Sequence, residues 1–247
     1  MAKRVFVGMS GGVDSSTAAA LLVEQGYSVT GVYMKNWSQD LPGMECPWRE
    51  DLADAKRVAV QLGIDFEVFD FQREYKQKVV DYMLDEYRAG RTPNPDIMCN
   101  QEVKFRLFLD AALERGADMI ATGHYARTAG GTLKMAKDSA KDQTYFLYRT
   151  TSAALIKTLF PLGGYTKPEV RELAKARGLW TARKKESMGV CFVGNVGMRE
   201  FLSEYVAARP GDIIERETGK ILGRHDGAIF YTLGQRHGVN QDRKSVV

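Results

Sequence analysis

A chain of 247 residues with 44% hydrophobic residues, 27% charged residues and a formal net charge of +4 has room for one α/β domain and a smaller module, and its composition excludes a disordered or fibrous protein. No run of about 18 apolar residues is present to cross a membrane, and Val5-Phe6-Val7 reaches Gly8 and Ser10 before a signal-peptide core could form. Three cysteines, Cys46, Cys99 and Cys191, are too few and too dispersed for a disulfide framework, which points to a reducing cytoplasm.

In chain order, Val5 to Met9 reads as a short buried strand. The segment after Asp14 repeats apolar residues at Ala18, Leu21 and Leu22 until Gly26 stops a helix. Tyr27 to Met34 is a second strand. A helix from Asp51 then places Leu52, Ala55, Ala59 and Leu62 on one face, and Phe66 to Phe71 is strand-like. A helix from Glu74 to about Ala89 and another carrying Phe105, Phe108, Leu109 and Ala112 lead to a fourth strand at Met119 to Thr122. Strands alternating with helices imply parallel pairing through right-handed crossovers, so the predicted fold class is α/β with a doubly wound, mainly parallel sheet. Ligands bind such sheets beyond the C-terminal strand ends. The Gly8 to Ser16 loop, the loop after Met34 and the Gly123-His124 turn all fall there.

From Ser152 onward the pattern is helical with interruptions: Ser152 to Leu159, Lys167 to Arg177, and Met198 to Val206. After Arg209-Pro210-Gly211 it becomes short β-like runs at Ile213-Ile214, Lys220 to Leu222 and Ala228 to Leu233. The expected organisation is a catalytic core over 1–150, a helical extension with the third cysteine over 151–207, and the start of a β module over 208–247. The excess of basic residues lies after residue 150, which suits either a polyanionic partner or a solvated basic face.

The first chemical motif is Ser10-Gly11-Gly12-Val13-Asp14-Ser15-Ser16, between a strand and a helix. Two glycines let backbone amides turn toward one point, and the helix N-terminus adds partial positive charge, so an anion is favoured there. The bland alternative is a tight turn in which Asp14 or Ser15 caps the helix. A Walker loop would place a lysine after its last glycine, and none is present. The motif resembles that of the PP-loop ATP pyrophosphatase superfamily, and this resemblance implies ATP with its pyrophosphate on the loop and Mg2+ nearby.

The second motif, Thr92-Pro93-Asn94-Pro95-Asp96-Ile97-Met98-Cys99-Asn100, reads as a rigid two-proline loop between helices that can aim a thiol. With Cys99 just ahead of a helix and close to Lys104 and Arg106, its thiolate is expected to be favoured. Asp96 is a candidate for positioning a base or moving a proton, or else a turn residue. Cys191, in Gly189-Val190-Cys191-Phe192, reads by itself as a small buried hydrophobe, as does Cys46. His124 either bonds phosphate or RNA, or is satisfied at the end of its strand. The three scattered histidines provide no ligand-spaced pair, and no cysteines cluster, so no protein-bound zinc or iron-sulfur site is expected.

Taken together, Asn94-Pro95-Asp96 with Cys99, Ala121-Thr122-Gly123-His124-Tyr125, Lys141-Asp142-Gln143 with Tyr145-Phe146-Leu147, Gly163 near Lys167-Pro168, Gly189 to Phe192, and Thr232-Leu233-Gly234-Gln235-Arg236 resemble, in order and context, the bacterial tRNA 2-thiouridylase family. The resemblance implies a transferase that activates the C2 oxygen of the wobble uridine as an adenylate and replaces it with sulfur. By residue matching, Gly8, Met9, Ser10, Gly11, Gly12, Val13, Asp14, Ser15, Met34 and Gly123 contact ATP. Asn94, Pro95 and Asp96 meet the target base, and His124, Lys141, Asp142 and Gln143 meet tRNA. Cys191 carries a persulfide delivered by a sulfur-relay protein, and Cys99 is its partner nucleophile. Either the persulfide attacks C2 directly or Cys99 releases sulfide from it, and both routes can leave a Cys99–Cys191 disulfide. Family members extend past the Leu-Gly-Gln-Arg segment, and the tail after Gly238 departs from their pattern, so a C-terminally truncated form is expected. The target base must leave its stack, so an aromatic or arginine platform is expected near the pocket. Two alternatives stand beside this reading: a PP-loop enzyme acting on a small molecule, which needs no cysteine pair, and a noncatalytic RNA-binding or sulfur-relay protein.

Overall fold

The computed structural model describes residues 2–38, 48–185 and 197–235. Its central sheet is built from β1 (Arg4–Gly8), β2 (Ser28–Lys35), β3 (Asp65–Asp70) and β4 (Met119–Ala121). After a separate hairpin, β5 (Arg127–Ala129) and β6 (Thr132–Lys134), the chain adds β7 (Thr158–Leu159) at the sheet edge. All five central strands are parallel, in the order β3-β2-β1-β4-β7. The order reverses between β1 and β4, which opens a crevice at their C-terminal ends.

The apolar run of β1 is buried on both faces, as a central parallel strand must be. Alternate side chains go to opposite sides of the pleat. Val5, Val7 and Met9 pack with Leu22 of α1 (Val13–Glu24) and with Ala55 and Val58 of α2 (Trp48–Leu62). Phe6, with Ile120 of β4, packs on the other side against Phe69, Phe105 and Phe108.

Two longer helices complete that second side: α3 spans 72–88 and α4 spans 95–114. Each is wound as a π-helix in its middle, over Lys76–Asp81 and Cys99–Leu107, a form uncommon in proteins and enriched at functional sites. They pack together through Tyr75, Val79, Met83, Cys99 and Val103. A Lys78–Glu102 ion pair at 2.9 Å ties the two π-wound stretches.

Beyond β4 come α5 (Ser152–Ile156), α6 (Lys167–Ala176) and α7 (Met198–Tyr205), then the antiparallel pair β8 (Gly211–Ile214) and β9 (Ile221–His225). Phe201 and Leu202 of α7 cover the α3–α4 cluster.

Three sequence expectations change. The helix predicted through Leu159 stops at Ile156, and Thr158-Leu159 become the fifth strand. Two residues are too few for an alternation signal, and only the exposed edge of β4 dictates their conformation. The segment predicted as a loop through Asn100 is already helix from Pro95 onward. Ala228–Phe230 forms a 3-10 turn where a β run was expected.

Candidate active site

The crevice is formed by the diglycine loop. Gly11 adopts φ +75, and a Cβ there would lie 2.3 Å from the Asp51 carbonyl oxygen of α2, so only glycine fits. Gly12 occupies the N-cap of α1 and offers no side-chain cap. The alternative, in which Asp14 or Ser15 merely caps the helix, therefore does not hold. Ser15 turns back instead: its Oγ accepts from Ser10 N at 3.1 Å and donates to Gly12 O at 3.3 Å, holding the loop closed. The dipole of a 12-residue helix thus faces the crevice without a competing side-chain cap, as an anion site requires.

Gly123, just past β4, closes the opposite wall. A Cβ on it would meet Ser15 N at 2.8 Å and the Asp14 carbonyl carbon at 2.9 Å, so its backbone lies directly on the first turn of α1. Gly8 is matched in the same way to Met34, whose Cε is 2.9 Å from where a Cβ would stand. The loop, Met34 and Gly123, separate in sequence, therefore share one crevice.

Asp14 has partners that sequence reasoning did not assign. Lys167, only 8% exposed, reaches both carboxylate oxygens at 2.7 Å, and the Tyr125 hydroxyl donates to Oδ1 at 2.9 Å. Lys167 is the first residue of α6, where Thr166 and Glu169 form a capping box. Its backbone N–H donates to Asp138 at 2.8 Å. The Thr-Lys-Pro-Glu string signalled a helix start, but nothing in it shows that the lysine reaches back 153 residues.

His124 follows Gly123. Its Nδ1 lies 2.8 Å from Thr122 Oγ1, and its ring sits between Phe105 and Phe160. Burial, and then the nearby Lys104 ammonium, hold its pKa well below the ordinary 6.5. It is a neutral hydrogen-bonding group at physiological pH, with no charge to offer a phosphate.

Lys104 also faces Asp96. These two residues and Asn100 are spaced four apart along one face of α4. Burial raises the Asp96 carboxyl above the ordinary carboxylate range, and Lys104 offsets part of that rise. Asp96 is therefore easier to protonate than a surface aspartate, which suits a group that holds a proton near a reacting base.

The surroundings of Cys99 correct the earlier picture. Asn94 caps α4, its Oδ1 accepting from Asp96 N at 3.1 Å and Ile97 N at 3.4 Å, with Pro95 at the first helical position. Cys99 is the fifth residue of that helix, not the one ahead of it, and is 2% exposed in the α3–α4 core. Dipole stabilisation fades beyond the first turn, so the proposed helix-end activation of its thiolate loses its basis. Cys191 and Cys46 lie outside the described residues.

Around the expected RNA contacts, side chains turn inward. Asp142 accepts from Ala136 N at 2.6 Å and from the Thr144 backbone N–H at 3.1 Å, and Thr144 Oγ1 donates to it as well. Burial opposes its ionised form, but these donors outweigh it and hold the carboxyl below the ordinary range. Gln143 accepts from Tyr125 N at 2.9 Å and donates its own N–H to Tyr125 O at 2.9 Å. The pair moulds the turn after Lys141. No group of three or more metal-ligating side chains occurs among the described residues.

Residues 3–195 match the family model described as tRNA methyl transferase HUP domain, and residues 199–245 match that described as tRNA methyl transferase PRC-barrel domain. The tRNA-specific 2-thiouridylase MnmA of Legionella pneumophila (strain Lens) is 54% identical over 243 residues, which cover 97% of this chain and 67% of that protein. This chain belongs to the tRNA-specific 2-thiouridylase family. Its relatives of the same name in Methylobacillus flagellatus and Akkermansia muciniphila are 53% and 52% identical, with 67% and 70% of their lengths covered. The chain thus spans about two thirds of these 2-thiouridylases. Among solved structures, a 4-thiouridine synthetase–RNA complex with bound ATP shares the fold. It has a TM-score of 0.52 at 19% identity, covering 82% of this chain and 50% of the other. No helix among the described residues is long and apolar enough to cross a membrane.

Proposed function

We propose that the chain is the ATP-using catalytic part of a tRNA uridine 2-sulfurtransferase, which exchanges the C2 oxygen of the wobble uridine for sulfur in the cytoplasm. The observation that carries this reading is identity above 50% to curated 2-thiouridylases across nearly the whole chain. The geometry supports it at the residues that matter.

ATP fits the crevice: the uncapped N-terminus of α1, a positive-φ Gly11 and the Cβ-free walls at Gly8 and Gly123 form a cradle for its phosphates. When bound, ATP supplies the activation that turns the uridine C2 oxygen, a poor leaving group, into a good one. In this reading Gly8 to Ser15 hold the phosphates, while Met34 and Gly123 shape the walls. Lys167 offsets the charge of Asp14, which would otherwise repel an anion at the same loop. Mg2+ commonly completes its shell with substrate phosphates and waters; both oxygens of the loop carboxylate, Asp14, are engaged by Lys167 at 2.7 Å, so Mg2+ would be held mainly through the phosphates of ATP.

Asn94, Pro95 and Asp96 begin the helix that faces this crevice through Lys104, Phe105 and Phe108. Asp96, with its raised pKa, positions the base and holds a proton. His124, Lys141, Asp142 and Gln143 line the approach of tRNA, and the inward hydrogen bonds of Asp142 and Gln143 assign them to shaping that approach. Cys191 receives sulfur as a persulfide from a sulfur-relay protein. The terminal sulfur attacks C2 and displaces the activated oxygen, and Cys99 then attacks Cys191 Sγ, breaking the S–S bond to release the 2-thiouridine; or Cys99 attacks the inner sulfur first and frees sulfide, which displaces the oxygen; either way a Cys99–Cys191 disulfide remains for reduction.

The decisive test is mass spectrometry of nucleosides from tRNA incubated with the chain, ATP, Mg2+ and sulfide. The expected product is 2-thiouridine at the wobble position; ATP turnover with no thiolated nucleoside would remove the reading. Replacing Cys99 or Cys191 separately then tests the two-thiol route, because retained persulfide-dependent thiolation in either variant rules it out.

A further inference from the structure

The turn that follows Lys141-Asp142-Gln143 holds two large aromatic rings in solvent. Tyr145 is 61% exposed and Tyr148 66% exposed. The Tyr145 ring lies on Phe146, with centroids 3.9 Å apart and planes 36° from parallel. Burying a tyrosine ring is favourable, so exposing two of them on one short turn needs a reason.

The turn is rigid. Asp142 fastens both Ala136 and Thr144, Gln143 fastens Tyr125, and Leu147 anchors the far side in the core. Asn100, 2% exposed on α4, donates its Nδ2 to the Phe146 carbonyl at 3.1 Å. Arg149 reaches Met98 of the same helix at 3.5 Å and has no carboxylate partner among the described residues. The turn that carries the rings is thus pinned to α4, at Asn100 one helical turn from Asp96, and is held there before any ligand arrives.

Basic residues border the turn. Lys141 and Arg149 flank the turn in sequence, and Lys104 lies further along the α4 face that begins at Asp96. Exposed aromatic rings on a preordered turn bordered by basic residues match the stacking platforms used for unpaired nucleobases. A peptide partner would bring main-chain hydrogen bonds or a groove-filling helix, and this tight turn has neither a free strand edge nor a groove.

The geometry points to Tyr145, supported by Tyr148, as a stacking platform for an unpaired RNA base next to the base that enters the Asp96–Cys99 site. This rests on the 2-thiouridylase reading and adds to it the surface that receives the neighbouring nucleotide. Stacking holds that nucleotide still while the target base is splayed into the crevice. Every base offers a π-face, so the contact serves any tRNA with the target uridine.

The test measures binding of an anticodon stem-loop RNA to the whole chain by fluorescence anisotropy, alongside RNA-stimulated pyrophosphate release from ATP. Tyr145→Ala is expected to weaken stem-loop binding about five- to a hundredfold, the range for losing one base–aromatic stack. Tyr148→Ala is expected to act in the same direction with a smaller loss, and Tyr145→Phe to stay within about twofold of the parent. ATP binding without RNA should be unchanged, which confirms that the variants fold. A stem-loop with an abasic site beside the target uridine should lose the same factor against the parent and nothing further against Tyr145→Ala. If Tyr145→Ala binds the stem-loop like the parent, or if the abasic penalty is equal in both proteins, the platform is refuted while the thiouridylase reading stands. If the parent itself neither binds the RNA nor releases pyrophosphate in response to it, both fall. Unchanged RNA affinity with slowed sulfur transfer from a persulfide-bearing protein would assign the rings to a protein partner and overturn the proposal.

Discussion

Two helix N-termini in this molecule are closed in different ways. At α1 the chain arrives through Gly11 and Gly12, no side chain caps the helix, and the first turn faces the crevice. At α4 the chain arrives through Asn94 and Pro95, the asparagine satisfies the first amides, and the helix buries Cys99 five residues in. An uncapped end invites an anion; a capped end has already used its donors. Chemistry at Cys99 must therefore come from its neighbours and from movement, not from the helix end.

The largest effect should come from filling the uncapped end. Gly11→Ala places a methyl 2.3 Å from a backbone oxygen at a positive φ. The expected result is loss of measurable ATP binding in calorimetry and a destabilisation of about 1–3 kcal/mol in denaturant melts. Next is Lys167→Met, which leaves the Asp14 carboxylate uncompensated. Asp14 is about a third exposed, so solvent screening limits the stability loss to about 1–2 kcal/mol. ATP affinity should fall more than stability does, and adding Asp14→Asn should restore part of it. Equal losses in the single and double variants would mean the pair does not act on the loop.

At the capped end, Asn94→Ala should cost about 1 kcal/mol by equilibrium unfolding, the usual worth of such a cap. ATP affinity should be unchanged, which is what separates the two termini.

The smallest effects concern pH, and they oppose one another. The His124 pKa is lower in the folded protein than in the unfolded chain, so its contribution is complete above about 6.5 and is lost as pH falls toward the folded value. The Asp96 pKa is raised on folding, so the unfolded chain gives up this proton first as pH rises. Stability is then fully present below the unfolded aspartate pKa and declines as pH climbs through the folded value. His124→Gln should flatten the acid-side loss in melts taken between about pH 6.5 and 5. Asp96→Asn should be more stable than the parent at neutral pH, with the gap closing on acidification. Parallel pH profiles for variant and parent would contradict the burial of either group.

Much of this was legible because its causes are local. Val5-Phe6-Val7 is apolar on both faces, so it had to be an interior strand, and the diglycine string after it had to turn tightly into a helix. The motif strings around Cys99, Gly123 and Gln143 carried the family, confirmed by relatives above 50% identity. What escaped were features with no local cause. Thr158-Leu159 is a strand because β4 offers an open edge, and the start of α4 at Pro95 was hidden by reading two prolines as a loop when one is a helix-starting residue.

The amino-acid order alone determined the strand–loop–helix units and the loop's capacity for an anion, because backbone freedom at glycine and apolar periodicity act over a few residues. Only the tertiary structure decided that Lys167 neutralises Asp14, that Gly123 lies on the first turn of α1, and that Asn100 pins the turn bearing Tyr145. Each of these joins groups dozens of residues apart or more, and such a pairing is set by how the sheet stacks its crossovers, which no short window of sequence contains.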